Sequence, residues 1–445
     1  MKLIYNVKDK PKFGQLVVFA LQQLLAIMAA TFVVPIIVGN GMQPTAALFG
    51  AGIGTLIYIL FTKAKSPVFL GSSFAFLGSM AAAFAGAVSV QAGYAGLIIG
   101  AVFAGLVYVV IALIVKFAGV NWINKLMPAQ VIGPTVSIIG LSLAGNAIGD
   151  LQTGGFKIDG VSQANVFVAI ACGLTALFVA MICSVYGKKT VKLIPFIIGI
   201  LSAYIVASIF TIIGIKTNNN ALIVIDFAVF ENLKVFAMPE FTFLTAIKGV
   251  KEIDSTYIAT LAAAYIPVAF VVFAEHIADH KNISSIIESD LLEEPGLHRT
   301  LLGDGVGSMA GAIFGGCPNT TYGESVACVA ITGNASVYTT ITAAAGAILI
   351  AFIQPFVAFV NSIPSCIMGG ICMALYGFIA VSGLKMIQKV DLEDNHNLFT
   401  VSVILISGIG GLALNFGSIQ ITSIATALIL GIFTNIILSK KKKNV

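Results

Sequence analysis

Long apolar runs alternate with short polar breaks along almost the whole chain. The runs fall at 15–38, 44–62, 68–85, 93–116, 128–147, 163–185, 191–214, 257–279, 300–315, 318–333, 337–360, 364–384, 397–414 and 419–438. A helix needs about 20 apolar residues to cross the hydrocarbon core of a membrane, so the pattern predicts about fourteen spanning segments. Two segments begin wrongly for a spanning helix. GSSFAF at 71–76 opens the third and TTYGES at 320–325 opens the tenth, and both are small and polar. Each is the third element of a seven-segment half. Seven is odd, so the second half enters from the opposite side, which predicts an inverted repeat. Broken segments at matching places in two such halves point to a binding site near the midplane. Irregular backbone at that depth is tolerated only where it is buried in protein or lines a cavity.

Composition agrees with this pattern. The chain is 58% hydrophobic and 10% charged, with mean hydropathy +1.02, whereas a soluble domain has about 25% charged residues. The class predicted is an all-α polytopic membrane protein. Glycine makes up 45 of 445 residues, above the usual ~7%, and stretches such as GLIIG at 96–100 suit close helix contacts. Cys172, Cys183, Cys317, Cys328, Cys366 and Cys372 lie in or beside apolar stretches without a CxxC pair, so they read as small buried hydrophobes.

Charge sets the orientation. The basic start MKLIYNVKDKPKFG precedes an apolar run too long for a signal-peptide core, so that run reads as the first span. With the N-terminus inside and sides alternating, the inner segments hold 19 of the 24 basic residues. They include Lys2, Lys8, Lys10, Lys12, Lys63, Lys65, Lys125, Lys192, Lys281 and the terminal Lys440 to Lys443. Only Lys157, Lys216, Lys234, Lys248 and Lys251 fall outside, four of them in one long connection, where the positive-inside rule is weak. Both termini are therefore expected in the cytoplasm. The net charge of +5 is a topology signal, and no nucleic-acid partner is called for.

Two carboxylates sit well inside apolar runs: Glu275, in YIPVAFVVFAEHIADH, and Glu324. Charges there are costly and mark function by default. Asp279 lies one turn after Glu275. His276 points to another helix face, where a structural role is at least as expected as a functional one. Asp304, near an inner end, reads as structural; His298 and His396 read as loop residues. Carboxylates accept N–H groups, while the start of a half-helix offers backbone N–H donors and a positive dipole end. Donors and acceptors around one small opening fit a flat cyclic amide or imide. A simple anion would be repelled by Glu275 and Glu324, and a sugar would ask for more hydroxyl-bonding side chains. Phe74, Phe76 and Tyr322 could offer flat faces to a ring.

These residues lie in recognisable motifs: LQQLLAIMAATFVVP in the first span, FLGSSFAF at 69–76, AEH at 274–276, DLLEEPGLHR at 290–299 and CPNTTYGE at 317–324. Over nearly its whole length the chain resembles the nucleobase–ascorbate transporter family, in its bacterial uracil permease branch. The resemblance implies import of uracil with a proton, by alternating access, in a bacterial plasma membrane. It implies no cofactor and, in many members, a homodimer in the lipid. It implies that Glu275 and Glu324 hold the base with backbone amides at Phe74 and Gly323, and that Tyr322 lies beside them. It further implies a core domain at 1–119 and 257–360 and a gate domain at 120–215 and 361–445, with an external connection at 216–256. One position departs from the pattern: Asp279 stands where the most similar members carry a histidine. With Glu275 one turn away, a proton shared by the two carboxylates becomes the expectation for coupling, with His276 as a further candidate.

Other classes fare less well. A xanthine or broader nucleobase permease is the alternative within the family. An anion exchanger or channel of the related sulfate-transporter architecture would place Glu324 where its anion sits. For an enzyme there is no metal-ligand cluster and no nucleophile–base pairing, and Gly303, Gly305 and Gly307 lack the setting of a dinucleotide loop. The sequons at Asn282 and Asn319 read as accidental, since they fall inside or within the membrane.

Overall fold

The computed structural model describes residues 3–439 apart from 120, 121, 123–125, 159, 160, 232, 417 and 418. Lys2, Lys125 and Lys440 to Lys443, used above to orient the chain, lie outside the described residues. The first half forms Phe13–Val38 (α1), Pro44–Phe61 (α2), Leu70–Ser72 (β1), Leu77–Ala85 (α3), Val90–Ala118 (α4), Ala129–Ser142 (α5), Ala144–Leu151 (α6), Lys157–Ile158 (β2), Val161–Ser162 (β3), Val166–Tyr186 (α7), Lys189–Leu193 (α8) and Pro195–Thr217 (α9). The second half forms Thr242–Gly249 (α10), Ser255–Ile287 (α11), Leu297–Gly315 (α12), Asn319–Thr321 (β4), Gly323–Thr332 (α13), Val337–Ile350 (α14), Gln354–Ser362 (α15), Ser365–Ile387 (α16), Asn395–Ile409 (α17), Leu414–Phe416 (β5), Ile419–Ile421 (β6) and Ser423–Ser439 (α18).

Among the described residues, eight helical stretches are long and apolar enough to span a membrane: α1, α2, α4, α5 with α6, α7, α9, α11 and α16. By helix length and composition, eight of the fourteen expected segments meet the requirement for a span. The other runs fall short for physical reasons. Helix α12 carries His298, Arg299 and Asp304. Helices α3 and α13 are the short pieces that follow the two polar breaks. The run at 337–360 divides into two helices, because Pro355 sits in the first turn of α15, where proline starts a helix and cannot continue one. His298 and His396, expected in loops, lie in the first turns of α12 and α17. The long connection after α9 is not featureless either: α10 closes on α4, and a Cβ at Gly249 would come within 2.2 Å of the Gln91 backbone.

Helices meet at glycines. A Cβ on Gly54 of α2 would lie 2.8 Å from the Gly307 carbonyl oxygen of α12, and one on Gly305 of α12 would lie 3.1 Å from the Gly105 carbonyl oxygen of α4. In the other packed group, a Cβ on Gly370 of α16 would fall 2.0 Å from the Gly173 carbonyl oxygen of α7. Such backbone approach allows dispersion contacts where lipid tails remove the usual hydrophobic drive. Two groups result: α2, α4, α11 and α12 with α1 and α14, and α5, α6, α7, α9 and α16 with α17 and α18.

The two polar breaks pair with each other. Strands β1 and β4 run antiparallel, with Leu70 opposite Thr321, Gly71 opposite Thr320 and Ser72 opposite Asn319. The pairing continues as the Tyr322 amide donates to the Phe69 carbonyl (3.2 Å) and the Ser73 amide to the Pro318 carbonyl (2.9 Å). Each strand thus satisfies the other's backbone groups at a depth where water is scarce. Gly71 is required here: a Cβ would stand 2.4 Å from the Tyr322 ring. Past the crossing, one chain turns into a 3-10 turn at Phe74–Phe76 and α3, the other into α13.

Candidate functional site

Between the two helix groups lies a cavity of about 460 Å³. One wall carries Phe74, Glu275, Asp279, Thr320, Gly323 and Glu324; the facing wall is mostly apolar, with Ile139, Phe196, Leu375 and Phe378 beside Ser184, Lys192 and Ser382. The starts of both half-helices, at Phe74 and Gly323, reach the same space. Early N–H groups of a helix have no partner within it and carry its positive dipole end. They are fixed donors beside three carboxylate acceptors.

Helix α11 supplies two of the carboxylates. Glu275, Asp279 and Asn282 share one face and line the cavity. Asp279 is buried, and its Oδ2 accepts a hydrogen bond from Thr321 Oγ1 of β4 (2.9 Å). Its other oxygen lies beside Gly323, 3.8 Å from where a Cβ there would stand. Glu275 and Glu324 are only half-buried and keep access to the cavity. Glu324 stands in the first turn of α13, where the helix dipole favours a negative group.

The other face of α11 is sealed in protein. His276 is fully buried, with Nδ1 2.7 Å from Asp304 Oδ2 and Nε2 2.9 Å from Thr300 Oγ1, both on α12. His280 is equally buried; its Nδ1 lies 2.7 Å from the His276 carbonyl and so carries a proton, while its Nε2 is 2.6 Å from the Tyr58 hydroxyl of α2. The two imidazoles stack with centroids 3.9 Å apart. His276 therefore does not line the cavity with Glu275 and Asp279, and Asp304, read as structural, is its buried partner.

Polar pins hold α13 in place. Ser325 Oγ accepts from Gln23 Nε2 of α1 (3.0 Å) and from the Phe69 amide (2.9 Å), which ties the first turn of α13 to α1 and to the approach to β1. Tyr322 is buried, and its hydroxyl donates to the Ser72 carbonyl (2.8 Å), so its ring lies across Gly71 and forms part of the wall. Asn319 donates from Nδ2 to the Gly50 carbonyl (3.2 Å). Phe74 lines the cavity and packs edge-on against Tyr376 of the facing group, centroids 6.0 Å apart. Phe76 turns away: it is buried and stacks on Tyr265, so it offers no face to a ligand.

The predicted residues Phe74, Glu275, Asp279, Tyr322, Gly323 and Glu324 thus converge on one cavity, and His276 stands behind it. Gln23 escaped the sequence reading, and Thr320, Thr321 and Ser325 were read only as members of the polar stretch at 320–325, without individual roles. A buried glutamine in the first span and hydroxyls beside Glu324 were the available signals, but their partners lie far along the chain.

Residues 14–416 match the model of the permease family named Xan_ur_permease. The chain belongs to this family, the nucleobase–ascorbate transporters. It is therefore a multi-pass membrane transporter and not an enzyme. Among similar proteins of the family, the "Uracil permease" of Bacillus caldolyticus is 37% identical over 440 residues, 98% of this chain and 95% of the relative. The "Uracil permease" of Escherichia coli (strain K12) is 33% identical over 434 residues, 97% of this chain and 93% of the relative. In fold, this nucleobase–ascorbate transporter resembles the transmembrane domain of the cyanobacterial bicarbonate transporter BicA, with TM-score 0.60 and 16% identity over 96% of this chain and 98% of that one. It also resembles the murine anion transporter Slc26a9 in its inward-facing state, with TM-score 0.67 and 10% identity over 98% of this chain and 69% of that one. At those identities the likeness concerns the fold alone.

Proposed function

We propose that this chain imports uracil together with a proton. The observation that carries the reading is the meeting of Glu275, Glu324 and the Gly323 end of α13 on one cavity wall. Uracil offers two N–H groups and two carbonyl oxygens in one plane. Glu275 and Glu324 accept the N–H groups, and backbone amides at Phe74 and Gly323 donate to the carbonyls. The ring lies between Phe74, Tyr322 and the apolar residues of the facing wall. Relatives named uracil permease, 33–37% identical over nearly the full length, support this choice of base.

The two helix groups then correspond to a core domain, 1–119 and 257–360, and a gate domain, 120–215 and 361–445, joined by the connection at 216–256. Fourteen segments in two inverted repeats suit this division, and a homodimer in the bacterial plasma membrane suits the family. With both termini in the cytoplasm, the exposed Lys192 that lines the cavity lies toward the inner side. Glu275 and Asp279 form the coupling pair: a proton on one leaves the other free to accept a uracil N–H. His276 anchors α11 behind them.

An anion exchanger shares the architecture, but Glu275 and Glu324 on the cavity wall oppose an anion. The test is uptake of radiolabelled uracil into proteoliposomes with unlabelled competitors. Uracil should compete far better than xanthine or adenine, because a site built on hydrogen bonds rejects ligands that leave its buried groups unpaired. Xanthine outcompeting uracil would favour the broader permease, and bicarbonate or sulfate uptake would favour the exchanger.

A further inference from the structure

The stretch NTTYGE carries three hydroxyls in a row, at Thr320, Thr321 and Tyr322. Two of them are committed. Thr321 donates to Asp279, and Tyr322 donates to the Ser72 carbonyl. Thr320 is 2% exposed, its Oγ1 has no hydrogen-bond partner among the described residues, and it lines the cavity that holds Glu275 and Glu324. Strand alternation explains the split: Asn319 and Thr321 face one side of β4, and Thr320 faces the other.

A buried hydroxyl without a partner costs free energy comparable to a lost hydrogen bond. Natural proteins leave few such groups, and each calls for an explanation. Here the residue that carries the free group lines a cavity, between a donor-rich helix end and the carboxylates. Hydrogen-bond acceptors on that wall are plentiful, and side-chain donors are scarce. A hydroxyl therefore completes the set by donating.

Resting on the reading of the site as a nucleobase site, we propose that Thr320 binds the substrate directly: its hydroxyl donates a hydrogen bond to one ring carbonyl oxygen. Thr320 then helps specify an oxygen at that ring position and is a substrate-contacting residue alongside Glu275 and Glu324.

The test uses the purified full-length protein and three ligands: uracil, 2-thiouracil and 4-thiouracil. Sulfur is a weaker acceptor than oxygen, so one analogue loses most of the Thr320 bond and the other keeps it. Thr320→Val removes the hydroxyl at nearly constant shape. It should weaken uracil binding roughly five- to tenfold. It should weaken one thio analogue about as much and the other by less than about twofold. Thr320→Ser, which keeps a hydroxyl, should stay close to the parent protein for uracil. Equal weakening of all three ligands by Thr320→Val would assign the residue a structural role, and no weakening of uracil would remove it from the site; either result overturns the proposal. A parent protein that binds none of the three ligands overturns the nucleobase reading, and this assignment with it.

Discussion

Within six residues, EHIADH, helix α11 makes two surfaces that share a chemistry and differ in every other respect. On one face, His276 and His280 are fully buried and hydrogen-bonded through both ring nitrogens to α12, α2 and the helix's own backbone. On the other, Glu275 and Asp279 line a cavity, with Asp279 held by Thr321 and Glu275 half-open. Titratable residues in a membrane helix mark function by default. The comparison sharpens that rule: the two histidines are sealed among partners that the protein supplies, whereas Glu275 and Asp279 border a cavity. The sealed face holds α11 still so that the cavity face keeps its geometry.

If that division is right, substitutions on the two faces fail in different ways. The largest effect belongs to the cavity. Glu324→Gln keeps the size and one acceptor but presents an amide donor. Uracil binding should fall roughly a hundredfold or more, while the purified protein melts near the parent temperature. Normal binding by this variant would make Glu324 structural and break the comparison.

Next comes the anchored face. Asp304→Leu leaves His276 buried without its partner and should cost about 3 kcal/mol of stability, seen as lower yield and a lower melting temperature. His276→Leu combined with Asp304→Leu should recover much of that loss, because two apolar groups in contact leave no polar atom stranded. If the double variant is no better than the single one, the pair is not the unit assumed here.

Asp279→Asn probes the boundary between the faces. It removes one charge beside Glu275 while an amide oxygen remains to accept from Thr321. Uracil exchange without a gradient should survive within a few-fold, and accumulation driven by a proton gradient should weaken. Undiminished accumulation would move the coupling proton onto Glu275 alone or elsewhere. The smallest effect is expected from Tyr58→Phe, which strips His280 Nε2 of its hydroxyl neighbour and should lower stability by about 1 kcal/mol with little change in uracil affinity.

Much of this was legible in the chain because it is local. Apolar runs announce helices, and small polar residues at 71–76 and 320–325 announce the breaks that became β1 and β4. The spacing of Glu275 and Asp279 correctly put them on one face. What escaped depends on partners distant in sequence. His276 looked eligible for coupling until Asp304 and Thr300, 28 and 24 residues further on, took up its nitrogens. Ser325 needed Gln23, 302 residues away, to reveal its role as a pin. Thr320 and Thr321 are identical in the sequence; only strand pairing sends one to Asp279 and the other to the cavity. The division of 337–360 was readable at Pro355 but masked by a continuous apolar composition.

The central claim is that the open face of α11 couples uracil to a proton, and proteoliposomes test it directly. Labelled uracil uptake is measured with the outside made one pH unit more acidic than the lumen and the membrane potential clamped at zero. With one proton carried per uracil, each pH unit is worth about 1.4 kcal/mol, so internal uracil should rise to about tenfold above external. The ratio should return to unity when a protonophore collapses the gradient. Uracil that only equilibrates across the membrane, whatever the pH difference, would contradict the account.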